Sequence, residues 1–532
     1  MTTTSSSLPP SSPARSAADA PERASEAAPP FVTPTVLAII VLSGVLPFAV
    51  FLSANAMVLV HTGIVFADAA VWSVLWMAIF LGVRLLTRRR DPLPVAAAFV
   101  AFSLSFWNFG RWLPHEAGSQ ARHVLVLVVW TAVTGAAMVL LYRIARSPRV
   151  GTFLLIFLGV WTFAALAGFP LTRAQIDGGT PLTLADPVTT PFRSTPNVYW
   201  FLFDEHSRSD QFQAITGEDN SWLADDLTDR GFSVSGTTNS AYLHTQLSVA
   251  STLAMDYPFV PGGDYRGDFV TTNPVIMGDN PVVETFEANG YRYVYAPDGS
   301  VEWVACPPEV VGDRVCVPPI GDSTILGGTN LTLARETPVG SFPIQQNYND
   351  LGSVMAGVRA LDTGDQPLFV YAHILGPHFP HRYRADCSLR DPFVEGYELS
   401  GEERLSMYAT DVQCFDRAFV DTVDDILADD PDAVIIMQSD HGTRFSFTWD
   451  MTFEQWKPAN FRERFGAVNA IRLPEACRGD SIEGQPLVNT FRLVFACLTG
   501  EEPDLLAQRT FFSAFHKIST LTEVPREELE AP

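Results

Sequence analysis

The chain has 532 residues, of which 47% are hydrophobic and only 18% are charged, and its formal net charge is −24. This length provides for more than one domain, and the aromatic content of 11% excludes disorder for most of the chain. The acidic balance argues against a nucleic-acid-binding protein, because phosphate partners require clustered Lys and Arg.

Charge divides the chain near residue 173. Up to that residue there are 12 Arg, no Lys and 6 acidic residues, a charge of +6, so the remainder carries −30. The sparsely charged first part and a positive mean hydropathy of +0.13 indicate that this part lies in a membrane. The second part has the composition of a soluble, strongly acidic domain.

The first part begins with a tail and continues with apolar runs. Residues 1–30 are rich in Ser, Pro, Ala and Thr, which predicts a disordered tail. A membrane span needs roughly 20 apolar residues. Five runs approach that length, between Glu26 and Asp68, Asp68 and Arg88, Asp91 and Arg111, Arg122 and Arg143, and Arg149 and Arg173. We predict about five transmembrane helices over residues 31–173, a linker over 174–194 and a soluble domain over 195–532.

The distribution of arginine predicts the orientation in the membrane. Most Arg residues of the first part lie in the tail and at the ends of the second and fourth runs. Because positive charge favours the cytoplasmic side, the tail is predicted to be cytoplasmic. Five spans then place the C-terminal domain outside the cytoplasm, in a multi-pass protein of the plasma membrane.

Cysteine usage agrees with an external C-terminal domain. All six cysteines lie in the second part, and an oxidising compartment would pair them. Proximity along the chain suggests Cys306–Cys316, Cys387–Cys414 and Cys477–Cys497. Six cysteines permit 15 pairings, and free buried thiols are the alternative.

The second part has an alternating pattern of strands and helices. Apolar runs predict strands at 197–203, 291–296, 367–375 and 432–439, and helical patterns lie at 221–231, 281–290, 348–362 and 402–427. This alternation predicts an α/β domain with a mostly parallel sheet between helices. Functional side chains of such sheets gather beyond the carboxyl ends of the strands.

Acidic residues and histidines follow two of these strands. Asp204 and Glu205 end the first strand, where they would bind a divalent metal or cap a helix. Asp440 and His441 follow the last strand within Ser-Asp-His-Gly, and Gly442 allows a tight backbone. An oxygen and a nitrogen ligand in one turn fit a metal site, although an ordinary loop fits equally well.

Two further segments contain chemically useful side chains. His373, His378 and His381 lie within nine residues, and neutral imidazole suits a metal whereas protonated imidazole suits phosphate. At least one of them is expected to be a structural histidine. Thr245 opens a predicted helix, where its hydroxyl is either a nucleophile in the positive field of the helix N-terminus or a plain N-cap.

Together these segments resemble the sulfatase-like branch of the alkaline phosphatase superfamily. The resemblance covers roughly residues 196–475, from NVYWFLFDE through HILGPHFP and MYATDVQCFDRAF to SDHG and ERFGAVNAIRLP. It is greatest to membrane-anchored lipoteichoic acid synthases and lipid A phosphoethanolamine transferases, which also have five N-terminal spans.

The resemblance implies a metal site and a nucleophile. Asp204, Thr245, Asp440 and His441 match the ligands of one divalent ion (manganese, zinc or magnesium), and Glu205 is an additional or alternative ligand. Thr245 matches the nucleophile, because the family's threonine lies three residues before a serine, here Ser248. The alternatives nearby are Thr237, Thr238 and Ser240.

The resemblance also assigns residues around the metal. His378 matches the histidine that contacts the substrate phosphate, and Asp416 matches an aspartate of structural role. His373 and Arg444 are further candidates for substrate binding. A second metal is left open, with His373, His381 and His516 as its candidate ligands.

Two departures narrow the function. The C/S-x-P-x-R motif of sulfatases, whose Cys or Ser becomes formylglycine, is missing from the second part of the chain, and Asp204 stands where the transferases usually carry Glu. We therefore expect a metal-dependent transferase or hydrolase of phosphoester or phosphodiester groups on membrane lipids or lipid-linked glycans. The alternatives are a sulfuric-ester hydrolase on the same fold and an inactive membrane-anchored envelope-binding protein.

Overall fold

The structure is a computed structural model of the full chain. It describes residues 30–57, 59, 62–88, 90–112, 120–177, 179–266, 268–298, 306, 314–317, 337–338, 353–361, 364, 366–379, 381–390, 401–477, 481–514 and 517–530. Residues 1–29 of the predicted tail, residues 348–352 and 362 of the helix predicted at 348–362, and the candidate ligand His516 lie outside these ranges.

Each of the five apolar runs forms a helix. The helices are α1 (Pro34–Ala54), α2 (Thr62–Thr87), α3 (Pro92–Phe106), α4 (Gln120–Ile144) and α5 (Pro148–Asp177). Four of them, α1, α2, α4 and α5, are long and apolar enough to cross a membrane. With 15 residues, α3 rises only about 22 Å, which is shorter than a hydrocarbon core of about 30 Å.

Local sequence explains where α3 begins and how it is held. Its N-cap Asp91 accepts a hydrogen bond from the Leu93 amide (2.9 Å), and Pro92 follows at the first helical position. The Ser103 hydroxyl of α3 accepts from Trp76 Nε1 (2.9 Å) and donates to the carbonyl of Ser43 (3.0 Å). These two bonds satisfy buried polar groups and join α3 to α2 and α1.

A seven-stranded sheet forms the centre of the C-terminal domain. Its strands are β1 (Val198–Asp204), β2 (Phe232–Val234), β3 (Arg292–Pro297), β4 (Val315–Cys316), β5 (Leu368–Pro377), β6 (Val434–Ser439) and β7 (Asn469–Arg472). Their order is β2-β7-β6-β1-β5-β3-β4, and β7 alone among these seven runs opposite to the others. The predicted α/β fold with a mostly parallel sheet is confirmed.

Ten described helices and a small hairpin surround this sheet. The helices are α6 (Ser209–Thr216), α7 (Ser221–Asp229), α8 (Thr245–Ala254), α9 (Asp268–Ile276), α10 (Pro281–Ala288), α11 (Ser353–Arg359), α12 (Gly401–Asp429), α13 (Pro458–Phe465), α14 (Thr490–Thr499) and α15 (Arg526–Leu529). The antiparallel hairpin consists of β8 (Phe511–Ala514) and β9 (Lys517–Glu523).

Alternate residues of β1 face two separate cores. Phe201 and Phe203 pack towards α12, where their rings contact Phe419. Trp200 packs on the opposite face, towards α8, α10 and α14, and stacks on Tyr371 at 4.5 Å. Burial on both faces explains why β1 is continuously apolar and not alternating.

The register of the sheet brings three chain segments to one edge. Phe203 of β1 lies opposite Ser439 of β6, and Asp204 lies opposite Pro377 of β5. The residues that follow these positions, including His378 and Asp440, therefore emerge beside Asp204. This edge holds the candidate site.

All three suggested disulfides form: Cys306–Cys316, Cys387–Cys414 and Cys477–Cys497. Cys387–Cys414 joins the segment that follows β5 to α12. The predicted linker begins inside α5, which ends at Asp177, and its later residues lie along the C-terminal domain, with Phe192 packed on Phe286 and Phe495. The predicted domain boundaries themselves stay a prediction.

The Cys387–Cys414 bond is expected to stabilise the C-terminal domain. It closes a loop with a sequence separation of 27, for which the chain-entropy relation gives about 3.5 kcal/mol. Replacing both cysteines with serine should lower the thermal unfolding midpoint of the full chain in detergent, followed by tryptophan fluorescence. Replacing Cys306 and Cys316, whose separation is 10, should lower it less. Equal midpoints in all three proteins would contradict this account.

Candidate active site

Four predicted site residues come together at the carboxyl edge of the sheet. Asp204 ends β1, Asp440 and His441 follow β6, and Thr245 is the first residue of α8. One ligand atom from each of Asp204, Asp440 and His441 lies within 4.8 Å of the others, and all three residues are buried. The Thr245 hydroxyl oxygen lies 3.1 Å from His441 Nε2.

The three ligand atoms form a cluster of acceptors. His441 Nε2 lies 3.0 Å from Asp440 Oδ2 and 3.9 Å from Asp204 Oδ1. Asp204 Oδ1 is buried and has no hydrogen-bond partner among the described residues. Burial, and then the negative charges of Asp440 and Glu205, raise the pKa of Asp204 well above its usual range.

These features fit a bound divalent cation. Buried carboxylates that face each other without a donor between them are costly, and a cation removes that cost. Two carboxylate oxygens and one imidazole nitrogen are ligands that zinc and manganese accept. Asp204, Asp440 and His441 are therefore the residues that could hold the ion, with Thr245 beside them.

The protonation states of Asp440 and His441 follow from their surroundings. Burial alone would raise the pKa of Asp440, but His441, the Thr245 hydroxyl and Arg464 outweigh it and lower that pKa to about 2. Burial and the charge of Arg464 lower the pKa of His441. His441 Nδ1 lies 3.1 Å from the Gly442 carbonyl, which only accepts, so Nδ1 carries the proton and Nε2 presents its lone pair to the cluster.

Glu205 takes a different direction from Asp204. Its φ of 61° turns the backbone into the left-handed region, and its Oε1 lies 2.9 Å from Arg464 Nη1. The same oxygen lies 3.9 Å from both His378 Nε2 and Arg444 Nε. Burial raises the pKa of Glu205, but these cations, His378 first, lower it to about 2. Glu205 thus lies outside the three-residue cluster and binds the neighbouring cations.

Arg464, in α13, is a site residue that the sequence did not single out. Its Nη1 donates to the Gly442 carbonyl (2.8 Å) as well as to Glu205, and its Nε donates to the Leu243 carbonyl (2.8 Å). Its Nη2 lies 2.9 Å from His441 Nε2. Arg464 thus ties together the segments before α8, after β1 and after β6. It lies in the ERFGAV motif, but only the fold brings it to Glu205.

A buried carboxylate also holds the loop after β6. Glu463 accepts hydrogen bonds from the Thr443 hydroxyl (3.0 Å), the Ser446 amide (3.1 Å) and the Phe445 amide. A Cβ at Gly442 would lie 2.1 Å from the Glu463 carbonyl oxygen, so this approach requires glycine. Glu463 and Gly442 together fix the position of Arg444.

The alternative hydroxyls nearby bind other partners. Thr237 donates to Glu483 (2.5 Å), Thr238 to the Gln485 carbonyl (3.1 Å), and Ser240 to the Tyr242 carbonyl (3.0 Å). Ser248 also donates to the Tyr242 carbonyl (2.7 Å). Of these hydroxyls and Thr245, only that of Thr245 forms a hydrogen bond with the described residues of the cluster. Thr245 is the first residue of α8, and its N-cap, His244, forms no side-chain cap.

The candidate substrate-binding residues occupy different depths. The side chains of His378 and Arg444 are 37% and 34% exposed, beside Glu205. His373 is fully buried in β5, where its Nδ1 lies 2.7 Å from the Tyr371 hydroxyl, and burial lowers its pKa to about 4. His381 is buried too, 3.4 Å from Asp411. A role for His373 in substrate binding stays a prediction, and this burial does not favour it.

Asp416 of α12 stabilises the turn next to the site. Its Oδ1 lies 2.7 Å from His206 Nε2, and its Oδ2 accepts from Asn220 Nδ2 (2.7 Å). Burial would lower the pKa of His206, but Asp416 outweighs this effect and raises it. This fully buried pair fixes the turn that directly follows Asp204 and Glu205, which agrees with the structural role expected for Asp416.

Comparison with known proteins adds a family and several similar structures. A search of curated proteins found no match. The zinc complex of the periplasmic domain of EptC from Escherichia coli has 13% identity and a TM-score of 0.42, over 64% of this chain and 96% of that one. Lipooligosaccharide phosphoethanolamine transferase A (EptA) from Neisseria meningitidis has 13% identity and a TM-score of 0.41, over 88% and 96%.

A third similar structure is the phosphonate monoester hydrolase of Agrobacterium radiobacter, with 12% identity and a TM-score of 0.35 over 60% of this chain and 80% of that one. The family assignment rests on a different comparison. A model of the family named Sulfatase matches residues 197–463, half of the chain, from the start of β1 to the end of α13. This stretch contains Asp204, Thr245, Asp440 and His441. The chain therefore belongs to the sulfatase family.

Proposed function

We propose that this protein is a metal-dependent enzyme that transfers or hydrolyses phosphoester or phosphodiester groups on lipids or lipid-linked glycans of the cell envelope. The observation that carries the proposal is the Thr245 hydroxyl at the N-terminus of α8, 3.1 Å from His441 and beside two buried carboxylates. A free threonine hydroxyl has too high a pKa to be a good nucleophile, and this position beside a metal site would lower that pKa.

Thr245 supplies the nucleophilic oxygen. A divalent cation held by Asp204, Asp440 and His441 would lower the pKa of the Thr245 hydroxyl and draw charge from the phosphoryl oxygens. After its proton has passed to solvent, the Thr245 oxygen attacks phosphorus, the bond from phosphorus to the first alcohol breaks, and the alcohol leaves with a proton from His378. The free amides at the start of α8 and its dipole favour the negative charge of the group carried by Thr245.

His378 and Arg444 contact the charge that develops. His378 Nδ1 lies 2.6 Å from the Phe379 carbonyl and carries a proton, so Nε2 is the atom that exchanges a proton with the substrate. The imidazolium form of His378 gives the Nε2 proton to the leaving alcohol. The same atom then takes the proton of the second alcohol, or of water, as this attacks phosphorus and releases Thr245. Arg444, at the edge of the site, pairs with a non-bridging oxygen.

The membrane helices favour a substrate that lies in the lipid bilayer. Four helices are long and apolar enough to cross a membrane, so the soluble domain stays near a lipid surface. Three disulfides in that domain support an oxidising compartment and therefore the orientation with a cytoplasmic N-terminus. The charge of −30 after residue 173 disfavours capture of an anionic substrate by long-range attraction, which favours a substrate held by its lipid part.

Removing the Thr245 hydroxyl is expected to abolish turnover. Thr245→Ala should lower kcat for bis(4-nitrophenyl) phosphate by roughly a thousandfold or more, because no other side chain replaces the nucleophile. Thr245→Ser keeps a hydroxyl and should retain part of the activity, and mass spectrometry of quenched wild type should find a 4-nitrophenyl phosphoryl group on Thr245. The exposed Thr228→Ala of α7 is the matched control. Full activity in Thr245→Ala would refute the nucleophile.

Removing one carboxylate is expected to change metal binding and metal-free stability in opposite directions. Added manganese or zinc at a hundredfold excess over Kd should raise the free energy of unfolding of wild type by about 2.7 kcal/mol and so raise its unfolding midpoint. It should not raise the midpoint of Asp204→Asn. Without metal, Asp204→Asn should be the more stable protein, because it removes the charge that Asp440 repels.

This metal-free advantage has a defined pH dependence. The folded-state pKa of Asp204 is raised, so the protonated form stabilises the fold at low pH and this stabilisation is lost as pH rises through that pKa. The advantage of Asp204→Asn should therefore grow with pH in calorimetry with chelator. The exposed Asp264→Asn serves as control. An equal metal-induced shift in wild type and Asp204→Asn would contradict the assignment.

Phosphate and sulfate esters separate the two enzymatic alternatives. Wild type should cleave bis(4-nitrophenyl) phosphate with a much higher kcat/KM than 4-nitrophenyl sulfate. Thr245 has a single hydroxyl, so the group bound to it is released only when a second nucleophile attacks that group. Phosphorus accepts this second attack. Measurement of both substrates in the same full-length preparation decides the question. Preference for the sulfate would support a sulfuric-ester hydrolase, and cleavage of neither would support a binding protein.

A further inference from the structure

Arg404 is a cation at the mouth of the site that the proposed reaction does not use. It lies in the first turn of α12, and its guanidinium carbon lies 5.4 Å from the ring centre of Phe379 and 5.0 Å from that of Phe445. Phe379 directly follows His378, and Phe445 directly follows Arg444. Arg404 therefore lies between the two segments that carry the exposed cations of the site.

The two rings, and not a carboxylate, hold Arg404 in place. Arg404 Nε is buried without a hydrogen-bond partner, and no described carboxylate lies within ion-pair distance of its guanidinium. Contact with aromatic faces fixes the plane of a guanidinium and leaves its N–H groups for a ligand. Arg404 is half-buried, and its buried Nε–H is a donor that an anionic ligand can satisfy.

Among the described residues, no carboxylate forms an ion pair with Arg404. The charge of Glu205 acts on Arg404, but Glu205 is already paired with Arg464 at 2.9 Å. Its Oε1 lies 3.9 Å from Arg444 Nε as well. Burial and the charge of Arg444 lower the pKa of Arg404, and Glu205 only partly offsets them. One carboxylate therefore faces three guanidinium groups.

We propose that Arg404 binds a second anionic group of the substrate, a phosphate or phosphonate distinct from the ester that Thr245 attacks and Arg444 contacts. Arg404 is then a specificity-determining residue that favours substrates with two anionic groups. The planar donors of arginine fit two oxygens of such a group at once. This inference rests on the proposed function, since it assigns the substrate class of the same site.

Two substrates that differ in one anionic group test the inference. Butyl 4-nitrophenyl phosphate and 3-phosphonopropyl 4-nitrophenyl phosphate share the reacting ester, and only the second has another anionic group. In the full-length wild type, kcat/KM should be higher for the phosphonate. Arg404→Gln should lower the ratio of the two kcat/KM values by about tenfold, mainly through KM, since about 1.4 kcal/mol is one factor of ten.

Control variants separate this role from general effects. Arg417→Gln removes an exposed arginine from the same helix, far along α12, and should leave the ratio at the wild-type value. Arg404→Lys keeps the charge but not the planar donors and should restore only part of the ratio. An unchanged ratio in Arg404→Gln, or an equal loss in Arg417→Gln, would overturn the inference.

A binding measurement keeps the two proposals apart. Calorimetric titration of wild type and Arg404→Gln with inorganic pyrophosphate needs no turnover, and Arg404→Gln should bind it about tenfold more weakly. If wild type cleaves neither diester but this difference is seen, the proposed function fails and the anion site stands. Titration with mixed micelles of phosphatidic acid distinguishes a lipid headgroup from a free phosphate as its source. Equal affinities of both proteins for pyrophosphate would overturn the site.

Discussion

Crowding of negative charge at the carboxyl ends of β1 and β6 is the constraint on which the C-terminal domain depends. Asp204 and Asp440 face each other from adjacent parallel strands, so the register of the sheet itself creates their repulsion. Neither side chain can move away, because the strands are buried on both faces. The surrounding residues therefore have to supply positive charge or leave room for it. The unpaired Asp204 oxygen indicates that part of this charge comes from a cation.

The adjacent acids Asp204 and Glu205 show how one residue of backbone separates two chemical roles. The left-handed φ of Glu205 sends its carboxylate to Arg464, and nearby cations lower its pKa to about 2. Asp204 keeps the β-strand direction, points into the acceptor cluster and has a raised pKa. Opposite pKa shifts in neighbouring groups are typical of functional sites. The buried pair of His206 and Asp416 stabilises the backbone turn that follows the two acids.

The parts of the site that the sequence predicts are those attached to local patterns. Asp204 and Asp440 were predictable because they end long apolar strands, and Thr245 because it opens a helix before a matching serine. The pairing of Arg464 with Glu205 was not, since the two residues are 259 positions apart and an arginine in a short helix has no distinguishing pattern. The end of α3 was not predictable either, because the apolar run continues to Arg111 but the helix ends at Phe106.

The three arginines of the site differ in depth, and their surroundings suit them to different tasks. Arg464 is buried, and fixed backbone carbonyls and Glu205 use its donors, so it can organise the site but has little left for a substrate. Arg444 is partly exposed and reaches Glu205 only at 3.9 Å, so a phosphoryl oxygen can compete for it. Among the described residues, Arg404 contacts two aromatic rings and forms no ion pair, so its donors are available to a ligand. Positive charge thus becomes more available from the interior towards the mouth, although the domain as a whole is strongly acidic. If the protein has the function proposed above, such a local arrangement would select an anionic group that the membrane has already brought close, without attraction from a distance.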